Sequence, residues 1–233
     1  MTETHYAVVG AGRQGTAAAY DMAKYGDAAS ILMADHKGEL AARAAERINQ
    51  LIGREIATSA VVDVRDVDAL AALLQPVSVF LCSTPLLYIM DCTRAAIQSA
   101  TSMVDLGGHT DTVLKQLELS AAAKEKGISI VPNCGMGPGM NNTLGVYTIE
   151  RLEAEGAIPR EVRLWDGGLP QEPVEPWNYQ VSFHINGLTN EYYNQAVFLR
   201  DGKITRVEPF TEMEIVKFAG VGELEAFVTS GGT

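Results

Sequence analysis

The chain has 233 residues, 47% of them hydrophobic and 20% charged, which suits a soluble globular protein with one large domain or a domain and a half. Its 18 Lys and Arg against 29 Asp and Glu give a formal net charge of −11 with no basic block, so a phosphate-tracking surface and a nucleic-acid partner are not expected. Three cysteines without CxxC spacing, an N-terminus that starts straight into a strand, and no apolar run near the roughly 20 residues that span a bilayer predict a cytoplasmic protein with no membrane partner.

The first element is a strand from His5 to Val9 that runs into Gly10-Ala11-Gly12-Arg13-Gln14-Gly15, after which an alanine-rich helix begins at Thr16 and runs to Tyr25. This is the strand, turn and helix of a dinucleotide-binding unit. Gly10 allows the tight turn, Gly12 lets the backbone approach a pyrophosphate, and Gly15 lets the helix lie close to the strand. The first helical N–H groups, from Arg13 and Gln14 on, then face the phosphates. Ser30 to Asp35 reads as the second strand, and Asp35 stands 20 residues beyond Gly15, where a carboxylate would accept the ribose hydroxyls of an adenosine. Such a carboxylate repels a 2′-phosphate and favours NAD as cofactor, although His36 and Lys37 pull the other way.

Lys37 to Ile52 has helical spacing and Gly53 ends it. Ile56 to Val64 reads as the third strand, Asp66 to Leu74 as a short helix capped by Asp66, and Val77 to Cys82 as a strand buried on both faces. Ser83-Thr84-Pro85 opens a helix to Ala100, with Pro85 suited to its first turn. Ser102 to Leu106 is the fifth strand, closed by Gly107-Gly108. A helix from Thr110 or Asp111 to Gly127 and a sixth strand, Ile128 to Val131, follow. Alternation of six strands with helices predicts an α/β fold, a Rossmann-type doubly wound parallel sheet over 1–142 that binds NAD.

From Asn142 one more helix runs to Glu155, and β character then dominates. Strands are expected at Glu161–Trp165, Tyr179–Ile185, Val197–Arg200, Lys203–Glu208, Glu214–Phe218 and Leu224–Val228, with Asp201-Gly202 as a tight hairpin turn. Residues 143–233 therefore read as a partial α+β domain with antiparallel sheet, for substrate binding and dimerisation. Stopping immediately after a strand, it looks like a domain cut short. Open strand edges there, together with the resemblance described next, favour a homo-oligomer, a dimer or higher.

Several stretches together resemble the saccharopine dehydrogenase-like family, and within it the lysine 6-dehydrogenases most closely. They are Val8 to Gly12, Val104 to His109, Pro132 to Met140, Gly168-Leu169-Pro170, Asn186 to Tyr192, Arg200 to Lys203, and Glu225 to Thr233. The resemblance covers the whole chain, and family members continue past the last motif. It implies NAD-dependent oxidation of L-lysine at the ε-carbon, giving an imine that hydrolyses to allysine and ammonia. Saccharopine reductases share the fold and similar motifs, so saccharopine stays open as substrate. A non-catalytic NAD-binding scaffold is the remaining alternative.

Amine oxidation needs the nitrogen lone pair free, hence a base or a depressed amine pKa. His109, after a glycine pair at a strand end, is the first candidate, and a surface histidine beside the helix cap at Thr110 is the alternative. Asp105 either binds an ammonium or is held by loop backbone N–H groups. Ser83, Thr84, Pro85 and Gly107 are expected on the nicotinamide and pyrophosphate side and Asp63-Val64 beside the adenine; otherwise they are caps and strand ends. Gly108, Cys134, Gly135, Met136, Pro138 and Gly139 are expected to shape the floor of the amino-acid substrate pocket, or to form only a tight turn. Cys134 reads better as a small buried thiol than as a nucleophile. His184, Asn190, Glu191 and Tyr192 are further candidates for the lysine head group, or ordinary sheet residues. Four scattered histidines give no metal site.

Overall fold

The computed structural model describes residues 4–181 and 184–231. Ser182 and Phe183, within the strand expected at Tyr179–Ile185, and Gly232 and Thr233 of the closing motif lie outside the described residues. The chain divides into two compact units: Met1–Leu106 with Asp111–Pro132, and Gly107–Thr110 with Asn133–Thr233.

The first unit begins with β1 (Thr4–Val9), α1 (Arg13–Tyr25), β2 (Ala28–Asp35), α2 (Gly38–Ile52), β3 (Ala57–Val61) and α3 (Val67–Leu74). It continues through β4 (Val79–Cys82), a 3-10 turn at Leu86–Tyr88, α4 (Ile89–Ser99), β5 (Ser102–Asp105), α5 (Thr110–Glu118), α6 (Ser120–Glu125) and β6 (Ile130–Val131). All six strands are parallel, in the order β3-β2-β1-β4-β5-β6, the doubly wound arrangement that the alternating pattern predicts.

Side-chain alternation along the strands splits the core in two. Ala7, Val9, Phe80 and Cys82 point to the face covered by α3 and α4, where they pack with Leu70, Leu74, Ile89 and Ala96. Val8, Ile31, Met33 and Leu81 point to the other face, against Ala19, Ala23, Ala41 and Ile48 of α1 and α2. Both sets are buried, which is why these strands read as continuous apolar runs. The alanine stripe of α1 lets that helix approach the sheet closely.

Some boundaries differ from expectation. The helix expected from Thr110 to Gly127 breaks at Leu119, because Ser120 Oγ donates to Leu117 O at 2.7 Å and takes up a carbonyl that a continuing helix would use. The helix expected from Pro85 instead starts as the 3-10 turn, with Pro85 as its N-cap. Asp66 does cap α3, accepting from Ala69 N at 3.0 Å.

The second unit contains α7 (Met140–Ala154), α8 (Ile185–Asn190), β7 (Ala196–Arg200), β8 (Lys203–Val207), β9 (Glu214–Phe218) and β10 (Gly222–Ala226). The strands form two antiparallel pairs, β7 with β8 and β9 with β10. Asp201 and Gly202 both have positive φ, 52° and 72°, and close the β7–β8 hairpin as the Asp-Gly pair requires. Phe210 stacks on Tyr192 and on Phe227 at centroid distances of 4.8 and 4.9 Å, a partly exposed aromatic cluster in this unit.

Among the described residues, two expected strands are not seen. Glu161–Trp165 is irregular, with Arg163 paired through its side chain to Glu161 at 2.5 Å and to Glu214 at 3.1 Å. Residues 179–181 are also irregular, and Ile185 opens a helix instead of ending a strand, because His184 Nδ1 accepts from Asn186 N at 3.2 Å and caps it. Val228 exchanges hydrogen bonds with Phe210 and Thr211 and so lies outside β10.

Candidate functional site

The carboxyl ends of β1, β2 and β4 meet at the glycine turn. Gly10 has φ +103°, its N–H donates to Ala34 O at 2.8 Å, and a Cβ on it would overlap the carbonyl of Ser83. A Cβ on Gly15 would overlap the carbonyl of Gly10, so that position needs glycine for close packing of α1 on the turn. Gly12 is different: nothing lies within 4 Å of where its Cβ would be, and it stands exposed at the start of α1 with no side chain capping the helix. Arg13 and Gln14 beside it are exposed too. An open backbone at an uncapped helix N-terminus is what a pyrophosphate requires, so these residues fit a dinucleotide.

Asp35 ends β2 with its side chain 10% exposed. One carboxylate oxygen accepts from Ala11 N at 2.9 Å and thereby anchors the glycine turn; the other accepts from Lys37 N at 2.8 Å and lies 3.0 Å from His36 Nδ1. Each oxygen has lone-pair capacity left for a hydroxyl donor. Asp63 follows β3, the neighbouring strand, and is bound by Arg65: Nε lies 3.0 Å from both carboxylate oxygens and Nη2 lies 2.5 Å from Oδ2. The Arg65 guanidinium holds the Asp63 carboxyl down at about 2. An open depression of about 800 Å³ is lined there by Asp63, Arg65, Asp66, Val67 and Asp68. Val64 is half-buried and packs on the core. Ser83 and Thr84 are half-buried, Thr84 Oγ1 lying 3.2 Å from Cys82 Sγ, and Pro85 is exposed.

Of the two residues expected to carry chemistry, Asp105 is sealed in. It is 0% exposed, and its carboxylate accepts from Gln116 Nε2 at 2.8 Å, while Gln116 also donates to Thr93 Oγ1 at 3.1 Å. Gln116, a side chain of α5, is thus one partner of the buried Asp105 carboxylate. His109 is half-buried in the Gly107–Thr110 segment of the second unit.

In that unit, stretches far apart in sequence meet. Asn190 Nδ2 donates to Gly108 O, Ser230 Oγ donates to Asn190 O at 2.5 Å, and Ser230 N donates to Glu191 O at 2.8 Å. A Cβ on Gly231 would overlap Gly108 O and Asn190 Nδ2, and one on Gly107 would overlap Asn133. The Gly135–Gly139 loop is closed on itself: Met140 N donates to Gly135 O at 2.8 Å, Asn141 N to Met136 O at 3.0 Å, and Gly139 N to Asn142 Oδ1 at 2.9 Å. Pro138 is half-buried in it and Met136 is exposed. Cys134 is exposed, against the expectation of a buried thiol; it follows Asn133, whose φ of 61° turns the chain outward.

A Cβ on Gly137 would overlap the carboxylate of Asp166, a residue that the sequence reading did not single out, although the glycine pair after it carries the Gly168-Leu169-Pro170 motif. Glu191 lies within electrostatic reach of Asp166. Burial, and secondarily the Asp166 charge, push the Glu191 carboxyl up to about 7, and burial raises Asp166 as well. Tyr179 and Tyr192 are raised by burial first and by Glu191 next. Glu191, Asp166, Tyr179 and Tyr192 thus influence one another's titration within the second unit. Among the described residues no group of three or more His, Cys, Asp or Glu side chains could hold a metal ion, and no helix is long and apolar enough to cross a membrane.

Comparison with known proteins agrees with both units. The family model described as the saccharopine dehydrogenase NADP binding domain matches residues 6–131, and that of the saccharopine dehydrogenase C-terminal domain matches 135–233. The chain is 28% identical over 174 residues to a saccharopine dehydrogenase [NADP(+), L-glutamate-forming] of Pyricularia oryzae, covering 73% of this chain and 38% of that one. It is 26% identical over 147 residues to the enzyme of the same name from Saccharomyces cerevisiae, covering 62% and 32%. The chain thus spans well under half the length of these curated relatives. A solved apo saccharopine dehydrogenase (L-Glu forming) from S. cerevisiae has the same fold, with a TM-score of 0.68 at 18% identity over 97% of this chain and 50% of that one.

Proposed function

Since the chain belongs to the saccharopine dehydrogenase family, we propose that it is an NAD-dependent dehydrogenase acting on the carbon–nitrogen bond of an amino acid, with L-lysine oxidised at its ε-carbon as the first reaction to test. The observation that carries the cofactor assignment is Asp35, a fixed carboxylate at the end of β2 that anchors the glycine turn through Ala11. When bound, the nicotinamide supplies the hydride acceptor.

The residues of the chain hold and prepare the reactants. Gly10, Gly12, Gly15 and the start of α1 would take the pyrophosphate, Asp35 the adenosine ribose, and Asp63 with Val64 the adenine side. Ser83, Thr84 and Pro85 would flank the pyrophosphate, and the Gly107-Gly108 turn and the Gly135–Gly139 loop would shape the substrate pocket. Glu191 is the better candidate for handling the amine's proton: a carboxyl raised to about 7 is poised to accept it near neutral pH, and Asp166 adds a second negative charge for an ammonium. His109 remains the alternative base. Two carboxylates also suit lysine, with its terminal amine, better than saccharopine, which carries three carboxylates of its own.

Saccharopine is the second reading, favoured by the names of the relatives. Purified protein with NAD and L-lysine should produce NADH absorbance. Turnover with saccharopine and none with lysine transfers the assignment to the second reading. Saturable NAD binding with no turnover on either substrate points to a non-catalytic scaffold.

A further inference from the structure

We propose that the Asp63–Arg65 ion pair is a second determinant of which dinucleotide the chain accepts, engaging the guanidinium that would otherwise receive a 2′-phosphate. The proposal rests on the reading of the first unit as a dinucleotide-binding domain. Asp35 and Asp63 belong to neighbouring strand ends: Asp35 is in register with Val61, and Val62 N donates to Asp35 O at 3.1 Å. His36 lies 3.0 Å from Asp35, and its charge also reaches Asp63. Asp35, His36, Asp63 and Arg65 thus follow one another along neighbouring strand ends.

Arg65 is the group on this rim best suited to a phosphate, since its planar fork can grip two oxygens at once. Its Nε and Nη2 are engaged by Asp63. Its side chain makes three contacts with Asp63, at 3.0, 3.0 and 2.5 Å, and its own backbone N–H donates to Asp63 Oδ1 at 3.0 Å. The depression it lines also borders Asp66 and Asp68, whose carboxylates accept from Ala69 N and Gln98 Nε2 and add negative charge beside the engaged guanidinium. A dianionic 2′-phosphate would meet a net negative wall, whereas a ribose hydroxyl would meet none of this penalty. Asp35 excludes the phosphate by its own charge, and Asp63 does so by occupying the arginine. Replacing Asp63 with a neutral isostere removes one repelling charge and releases Arg65 together.

The test is calorimetric titration of the full chain with NAD and with NADP, comparing wild type, Asp63→Asn and Asp63→Asn/Arg65→Ala. Wild type should prefer NAD. Asp63→Asn should narrow that preference by about tenfold or more, the scale of one new charge-assisted hydrogen bond, and the double variant should restore it. A preference unmoved within about twofold in Asp63→Asn, or one that stays narrowed in the double variant, overturns the proposal while leaving the dinucleotide reading intact. Wild type that binds NADP more tightly than NAD overturns it too. Absence of binding by both dinucleotides to wild type overturns the dinucleotide reading and the proposal with it.

Discussion

Gly10 and Gly12 stand two residues apart in one motif, yet the structure gives them separable jobs, and alanine at each should separate fold from ligand. At Gly10 a side chain meets two costs. The φ of +103° is unfavourable for an L-residue, about 1–2 kcal/mol, and the new Cβ overlaps the Ser83 carbonyl, for which overpacking costs about 1–3 kcal/mol. The backbone has little room to relieve this, because Gly10 N is tied to Ala34 O at 2.8 Å and Ser83 N to Val9 O at 2.8 Å. Gly10→Ala should therefore lose about 2–5 kcal/mol, a fall in Tm of roughly 5–15 °C for a chain of this size. At Gly12 the backbone is ordinary and the Cβ would point into open space, so Gly12→Ala should cost no more than about 1 kcal/mol, the N-cap preference of glycine over alanine. Its methyl would stand where the phosphates approach, and NAD affinity should fall about tenfold or more. Circular-dichroism melts and calorimetric titration with NAD read the two effects. A Gly12→Ala protein that binds NAD as wild type does, or a Gly10→Ala protein with an unchanged melt, refutes the reasoning.

Two further substitutions probe the carboxylates. Glu191 has a folded pKa of about 7, raised above the ordinary 4.5, so between those values the folded state holds more proton than the unfolded state. Stability should therefore fall as pH rises from about 4.5 to about 7, and Glu191→Gln should flatten that slope in urea titrations run at several pH values. A wild-type slope preserved in the variant would show that Glu191 is not the titrating group. Gln116→Met removes the donor to the buried Asp105 carboxylate and to Thr93, and should cost about 2–3 kcal/mol in urea unfolding. A loss below about 0.5 kcal/mol would mean that Gln116 contributes little to holding Asp105.

The sheet was legible because each strand announces itself locally. Val79–Cys82 is apolar at every position since both faces are covered, and the glycine turn is dictated by contacts within one strand-turn-helix unit. The place of Asp35 at the end of β2 was legible for the same reason, as a fixed distance from a turn. Less was legible where the deciding partner is remote or subtle. Gln116 reaches Asp105 from α5, a contact that a late-strand aspartate does not reveal. The break between α5 and α6 depends on which carbonyl Ser120 chooses. Glu161–Trp165 has alternating apolar residues, but the backbone found no strand to pair with, and Val162 and Leu164 remain 49% and 44% exposed.

The late motifs illustrate the same point from the other side. Gly107-Gly108, Asn190-Glu191 and Ser230-Gly231 look like separate signatures in the sequence, and each invites a ligand role of its own. In the second unit they are parts of one clasp. Asn190 grips the Gly108 carbonyl, Ser230 grips the backbone of both Asn190 and Glu191, and glycine at 231 leaves room for the contact. Packing alone is sufficient reason for most of these residues, so their presence does not make each a substrate ligand. Glu191 differs in that the clasp uses only its carbonyl, which leaves its carboxylate available for the role proposed above. Ser230 holds the Glu191 carbonyl through its backbone N–H and the Asn190 carbonyl through its hydroxyl, so losing the hydroxyl should loosen the Asn190 end of the clasp and leave the Glu191 contact in place.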